Sequence, residues 1–155
     1  MRNRLTKFQR SSIWVLLLCS IGFLGILASG CTNNSNPSGG AVDVDLTMLS
    51  STVLFAEVNN MEENPENYFG KTIKMSGAYG TAYLEETDLT YHFVVVDDVT
   101  GCCQAAMEFI WQGDHAYPED YPEETTQIEV IGVFKSYEEL GYTWYYLDVN
   151  GITIL

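Results

Sequence analysis

Along this chain the apolar positions fall into one unbroken run, one stretch of helical period and several stretches that alternate. The unbroken run covers residues 13–27 and follows a basic start of Arg2, Arg4, Lys7 and Arg10. Between residues 50 and 63, Leu54, Val58 and Met61 recur at helical spacing. That predicts a short helix started by Ser50 or Ser51 and stopped by Pro65. From residue 72 the period drops to two. Ile73, Met75, Gly77 and Tyr79 alternate with Lys74, Ser76 and Ala78, which predicts a strand over 72–79. A polar loop at 85–88 leads into a strongly β-prone run at 91–96, ended by Asp97-Asp98. Met107, Phe109 and Trp111 mark another strand in the second half of 102–111. Residues 113–124 carry Pro118 and Pro122 among acids and tyrosines and read as a loop. The clearest strand is 127–135, with Ile128, Val130, Gly132 and Phe134 on one face. A turn is expected at 136–141, a last main strand at 142–149, a turn at Asn150-Gly151 and a short pairing segment at 152–155.

About five strands, one N-terminal helix and two mid-strand glycines predict an all-β domain built as a small five-stranded barrel. A glycine inside a strand marks a bend, and barrels need bends. The OB-fold is the expected architecture, with an SH3-like barrel or a β-sandwich as the alternative. An OB-fold usually places a helix between its third and fourth strands. Here that interval, 113–126, is proline-rich, so the N-terminal helix is expected to cap the barrel instead.

The start of the chain sets an expectation about location. A basic start, the apolar run, and then Leu27-Ala28-Ser29-Gly30-Cys31 have the form of a secretory signal that stops at a cysteine. This resembles a bacterial lipoprotein signal, although Ala28 stands where that pattern prefers leucine. The resemblance implies cleavage before Cys31 and a diacylglycerol on its sulfur, an anchor firm enough to hold a protein at a membrane. The run itself, about fifteen residues, is short of the roughly twenty needed to span a bilayer. Residues 1–30 then form the signal, 31–44 the lipidated cysteine with a flexible polar linker, and 45–155 the barrel domain. The expected location is the extracytoplasmic side of the cell membrane.

Removing the signal sharpens the charge. Residues 31–155 keep three basic residues, Lys71, Lys74 and Lys135, against 21 acidic ones, a net charge of −18 with no arginine. Nucleic-acid binding needs cations that neutralise phosphate, so it is excluded as a function class. Anionic headgroups are disfavoured for the same reason. Such acidity gives solubility, or it attracts cations or a basic partner. Three cysteines precede or form the only unusual chemistry once Cys19 is set aside in the signal: Cys31, and the adjacent pair Cys102-Cys103.

Three readings of that pair stand side by side. Both thiolates can hold a soft metal such as zinc or copper, with His92, His115, Asp97, Asp98 and Glu108 as nearby candidates; His92 and Glu108 are the expected further ligands. The pair can form a strained, easily reduced vicinal disulfide in an oxidising compartment. Or one thiol packs inside and the other is idle. For His92 a core position is a strong rival to ligation, and Asp97 and Asp98 are adequately explained as turn formers. Tyr142, Trp144, Tyr145 and Tyr146 lie on one strand, so half of them face outward. No nucleophile elbow, zinc-protease helix, phosphate loop or CxxC pair occurs, so no catalytic residue is assigned.

The segment Asn64-Pro65-Glu66-Asn67-Tyr68-Phe69-Gly70-Lys71 before a strand, followed downstream by Cys102-Cys103-Gln104-Ala105-Ala106, resembles the soluble C-terminal domain of an uncharacterised bacterial membrane-protein family. The resemblance covers roughly residues 60–155. It implies a role in metal handling beside a membrane permease. This chain departs from the family pattern at Ala106, where an acid is usual, so Glu108 would have to take that acid's place. The expectation is a lipid-anchored binding or accessory module without catalysis, acting with a membrane transporter. The alternatives are a thiol-redox protein, and a structural envelope lipoprotein that recognises a protein partner through its acidic or aromatic surface.

Overall fold

The computed structural model describes residues 41–155. The basic start, the apolar run, Cys31 and the first part of the linker lie outside the described residues. The elements follow in the order β1 (Val44–Asp45), α1 (Ser51–Glu63), a 3-10 turn (Pro65–Asn67), β2 (Thr72–Leu84), β3 (Leu89–Asp97), β4 (Gln104–Trp111), β5 (Gln127–Glu139) and β6 (Tyr142–Ile154). No helix among the described residues is long and apolar enough to cross a membrane.

All six strands join one sheet in the order β1-β2-β3-β4-β6-β5, and β2 pairs β5 as well. The pairs are antiparallel except β1 with β2 and β4 with β6. This is the expected all-β, OB-like arrangement. Its key is β2. Residues 72–78 of that strand pair with β5, and residues 78–84 pair with β3. The hand-over falls at Gly77 and Ala78, where the sequence predicted a curl. A Cβ on Gly77 would lie 2.4 Å from the Val95 carbonyl oxygen. Only glycine lets the two backbones come that close.

Strand alternation sends Ile73, Met75, Tyr79, Val94, Met107, Phe109, Ile128, Val130, Phe134, Leu147 and Val149 into one buried core. The helix completes it. Val58 and Met61, two of the three residues of the helical pattern, have no exposed surface, and α1 lies against β3 and β4. Asn64 closes α1 by donating its backbone N–H to Asn60, and Pro65 starts the following turn. No helix forms in 113–126, so the interval that an OB-fold usually fills with a helix is a loop, as expected.

Several boundaries differ from the sequence pattern. β1 is an added two-residue strand, and it begins at Val44, inside the segment expected to be linker. β2 runs five residues past the expected end, because pairing with β3 continues to Leu84. The expected turn at 136–141 shrinks to Leu140-Gly141, since Ser136 through Glu139 pair with Tyr145 through Tyr142. Both turn residues have positive φ, 52° and 83°, the geometry of a tight two-residue hairpin. Asn150-Gly151 is not a turn. Val130 pairs with Ile152 but Gly132 with Val149, so β6 carries an extra residue there and bulges.

A valine at Gly77 is expected to push β2 and β3 apart and cost about 2 kcal/mol, the usual range for overpacking. Gly151→Ala meets nothing within 4 Å and serves as the control. Urea unfolding of both variants checks this, and equal midpoints would remove Gly77 as the bend that sets the fold.

Candidate metal centre

The turn between β3 and β4 is built on Asp98. Its Oδ1 accepts the backbone N–H groups of Thr100 (3.1 Å) and Cys102 (3.0 Å), with that of Cys103 at 3.4 Å. Its own N–H donates to the Cys103 carbonyl at 2.9 Å, and its carbonyl accepts from Gly101 at 3.1 Å. An aspartate that satisfies several following N–H groups is a strong turn former. The wrap brings both thiols to the outside of the turn, side by side and exposed.

The two Sγ atoms are 3.6 Å apart and not bonded. Cys102 Sγ lies 3.5 Å from Asp98 Oδ2, and the Thr100 hydroxyl sits 2.9 Å from both of those atoms. One ligand atom each from Asp98, Cys102 and Cys103 falls within 4.8 Å of the others. Desolvation would raise the Asp98 carboxyl, but hydrogen bonds from Thr100, Cys103 and Cys102 outweigh it and hold it below the usual carboxylate range. The Cys103 thiol is pushed up, first by its hydrogen bond with Cys102 and then by the Asp98 charge. Two thiols and a carboxylate thus share a small volume.

Of the four expected metal ligands, this cluster brings together Cys102 and Cys103. His92 and Glu108 stand elsewhere. His92 Nδ1 meets the Tyr79 hydroxyl at 2.7 Å, and its ring stacks on Tyr121 with centroids 4.0 Å apart. Partial burial lowers its pKa to about 4, so it is a neutral histidine stacked at the edge of the core. His115 stacks on Trp111 at 3.7 Å. Asp97 accepts a hydrogen bond from Gln104. Strand alternation puts Glu108 on the face opposite Met107 and Phe109, yet it is only 7% exposed. Tyr137 donates to its Oε2 at 2.9 Å. Desolvation raises its pKa to about 7, partly opposed by that hydrogen bond and reinforced by the Glu139 charge.

Asp98 takes the third place in the cluster. The sequence named it among five nearby candidates but explained it adequately as a turn former, and did not place it in the expected ligand set. Its spacing was the available signal, since an aspartate four and five residues before two cysteines, with Gly101 between, is a turn that folds back on itself. The aromatic packing of His92 by Tyr117 and Tyr121 had no periodic signal, because both tyrosines lie in the irregular loop.

No protein-family model matches the chain, and no curated protein matches it. The class of protein is therefore defined by its own fold and site: an OB-like β-domain with a vicinal cysteine pair and an adjacent carboxylate.

Glu108 gives a pH prediction. Its folded pKa lies above the unfolded value, so the folded state holds the proton longer, and stability falls as pH rises from about 4.5 to about 7. Glu108→Gln mimics the protonated form. It is expected to match the parent near pH 4 and to exceed it at pH 8 by on the order of 2 kcal/mol, after allowance for partial solvent screening. His92, with its lowered pKa, acts in the opposite sense, losing stability as pH falls from about 6.5 to about 4. Thermal unfolding of both proteins across pH 4–8 checks the difference, and a constant offset between them would contradict a proton held at Glu108.

Proposed function

We propose that this protein is a lipid-anchored extracytoplasmic module that binds a soft metal ion, zinc first and copper second, through Cys102, Cys103 and Asp98. The observation that carries the reading is the separation of the two sulfurs. Two thiolates each about 2.3 Å from one tetrahedral ion lie roughly 3.8 Å apart. The sulfurs here stand at 3.6 Å before any ion is considered. A linear two-thiolate arrangement would need about 4.6 Å at the same bond length. Asp98 Oδ2 adds a third ligand, and the exposed turn leaves a fourth position open. Structural zinc sites are closed by four protein ligands, whereas an open one can exchange its ion or share it with a partner. That suits an accessory module that takes up or hands over metal beside a membrane transporter, tethered through Cys31. The net charge of −18 on residues 31–155 draws cations toward it.

Native mass spectrometry of the full chain in detergent, after incubation with zinc, is expected to show one equivalent of zinc. Cys102→Ser with Cys103→Ser should abolish it, and Asp98→Asn should weaken it about tenfold, with ~1.4 kcal/mol per tenfold. Both cysteines are exposed, so the double variant should unfold within ~0.5 kcal/mol of the parent. Unchanged zinc content in the double variant would overturn the reading, and a two-dalton mass loss without metal would replace it with the vicinal disulfide. The anchor has its own check: Cys31→Ser is expected to abolish incorporation of labelled palmitate and to release the protein from the membrane fraction. Continued labelling would overturn the anchor.

A further inference from the structure

Beside the metal-binding reading, and independent of it, stands Glu108. A carboxyl buried on the outer face of a strand is costly once it ionises, for Glu108 above a pH of about 7, unless a cation neutralises it. Its neighbours on that face of β4 are Ala106 and Ile110, so an apolar residue would fit there. The three lysines among the described residues are engaged elsewhere: Lys74 pairs with Glu129, Lys135 with Asp148, and Lys71 lies over the Tyr68 ring. No protein cation serves Glu108 among the described residues.

The carboxyl lines a cleft of about 310 Å³ between the last turn of α1 and the outer side of β3, β4 and β6. That volume is at the lower end of the range for small-ligand sites, roughly 300–1,000 Å³. Phe93, the direct cross-strand partner of Glu108, and Trp144 supply aromatic wall. Glu62 closes the α1 side. It sits in the final turn of the helix, where the macrodipole is already negative. Burial raises its pKa. The cleft thus combines a buried acid, negative potential and π-faces. Those are the elements that hold an organic cation.

The chemistry narrows the cation further. A bare metal ion needs several ligand atoms converging on one point, and neither Glu62 nor Glu108 belongs to such a cluster among the described residues. A guanidinium prefers both oxygens of a carboxylate in parallel. Here Tyr137 already donates to Oε2, which breaks that symmetric fork. An ammonium group is a compact donor that one carboxylate oxygen and an aromatic face can satisfy. Trp144, in the cleft wall, is 45% exposed and offers apolar surface to an alkyl chain.

We infer that the cleft between α1 and β6 binds an alkylammonium group, with Glu108 as its counter-ion and Phe93 and Trp144 as its walls. A free amine and a lysine side chain of another protein share this chemistry. The test is isothermal titration calorimetry of the full chain in detergent with four probes: n-butylamine, n-butanol, cadaverine and Nα-acetyl-lysine methylamide. The amines are expected to bind saturably, tighter than about 1 mM, and the neutral butanol at least tenfold more weakly. Glu108→Gln should weaken amine binding at least tenfold. Trp144→Ala, a change at a half-exposed side chain, should weaken it several-fold, so the conclusion does not depend on one variant. Cys102→Ser with Cys103→Ser should leave it unchanged, which separates this site from the metal centre. Preference for the lysine mimic over both free amines assigns the site to a protein partner, and the reverse assigns it to a small amine. No saturation by any amine, equal binding of butanol, or full binding by both Glu108→Gln and Trp144→Ala would overturn the inference.

Discussion

The close approach of β2 to Val95 at Gly77 is the contact on which the rest of the domain depends. Because that strand can bend there, its first half is free to pair with β5 while its second half pairs with β3. The sheet's pairings therefore lead back to where they began. Side chains on one face meet across a shared core, and those on the other face are spread outward. Without the bend, β3 and β5 would extend as one flatter sheet on either side of β2, and their core faces would not meet. The bulge at Asn150-Gly151 does a related job on the opposite side. It adds a residue to β6 and lets that strand turn while it stays paired with β5 and with β4.

Two different segments outside the ring of strands pack on the core. One is α1, which carries no side-chain cap at Ser50 and is held by burial of Val58 and Met61 rather than by its own ends. The other is the loop 113–126. It lacks regular structure but supplies Tyr121, which stacks on His92 and meets Tyr79 and Trp111 by ring contacts. Backbone bonds seal it: Tyr79 donates to the Thr126 carbonyl and accepts from the Thr125 N–H. His92 is neutral because that aromatic packing removes it from water, and a neutral ring can stack without stranding a charge.

The strands with clean alternation were legible because burial on one face imposes period two. Ile73, Met75 and Tyr79 in β2, and Ile128, Val130 and Phe134 in β5, are all buried as their pattern required. The helix was legible for the matching reason, since Val58 and Met61 are on its inward stripe. Strand ends were not. Tyr83, Ser136 and Glu138 continue their strands with exposed side chains, so no burial pattern marks them. The candidate metal centre was half legible. An adjacent cysteine pair is visible in any reading, whereas singling out Asp98 from the other nearby candidates depends on how the turn wraps. His92 and Glu108, near in sequence, are carried away by the geometry of a strand, which separates residues that a turn gathers.

Asp98 shows how one side chain serves both shape and chemistry. Its Oδ1 is committed to the backbone N–H groups of the turn, and its Oδ2 faces the Thr100 hydroxyl and the Cys102 thiol. An ion placed between the sulfurs and Oδ2 displaces a weak thiol contact and a rotatable hydroxyl. It leaves the bonds that shape the turn in place. On the proposed metal-binding reading, the carboxylate, held below its usual pKa, would surrender no proton, and the thiols would lose theirs to a cation that relieves the repulsion Asp98 imposes on Cys103. The turn would then be arranged before an ion arrived, and binding would have to supply the energy to deprotonate the thiols, which would make affinity steeper with pH than at a carboxylate site.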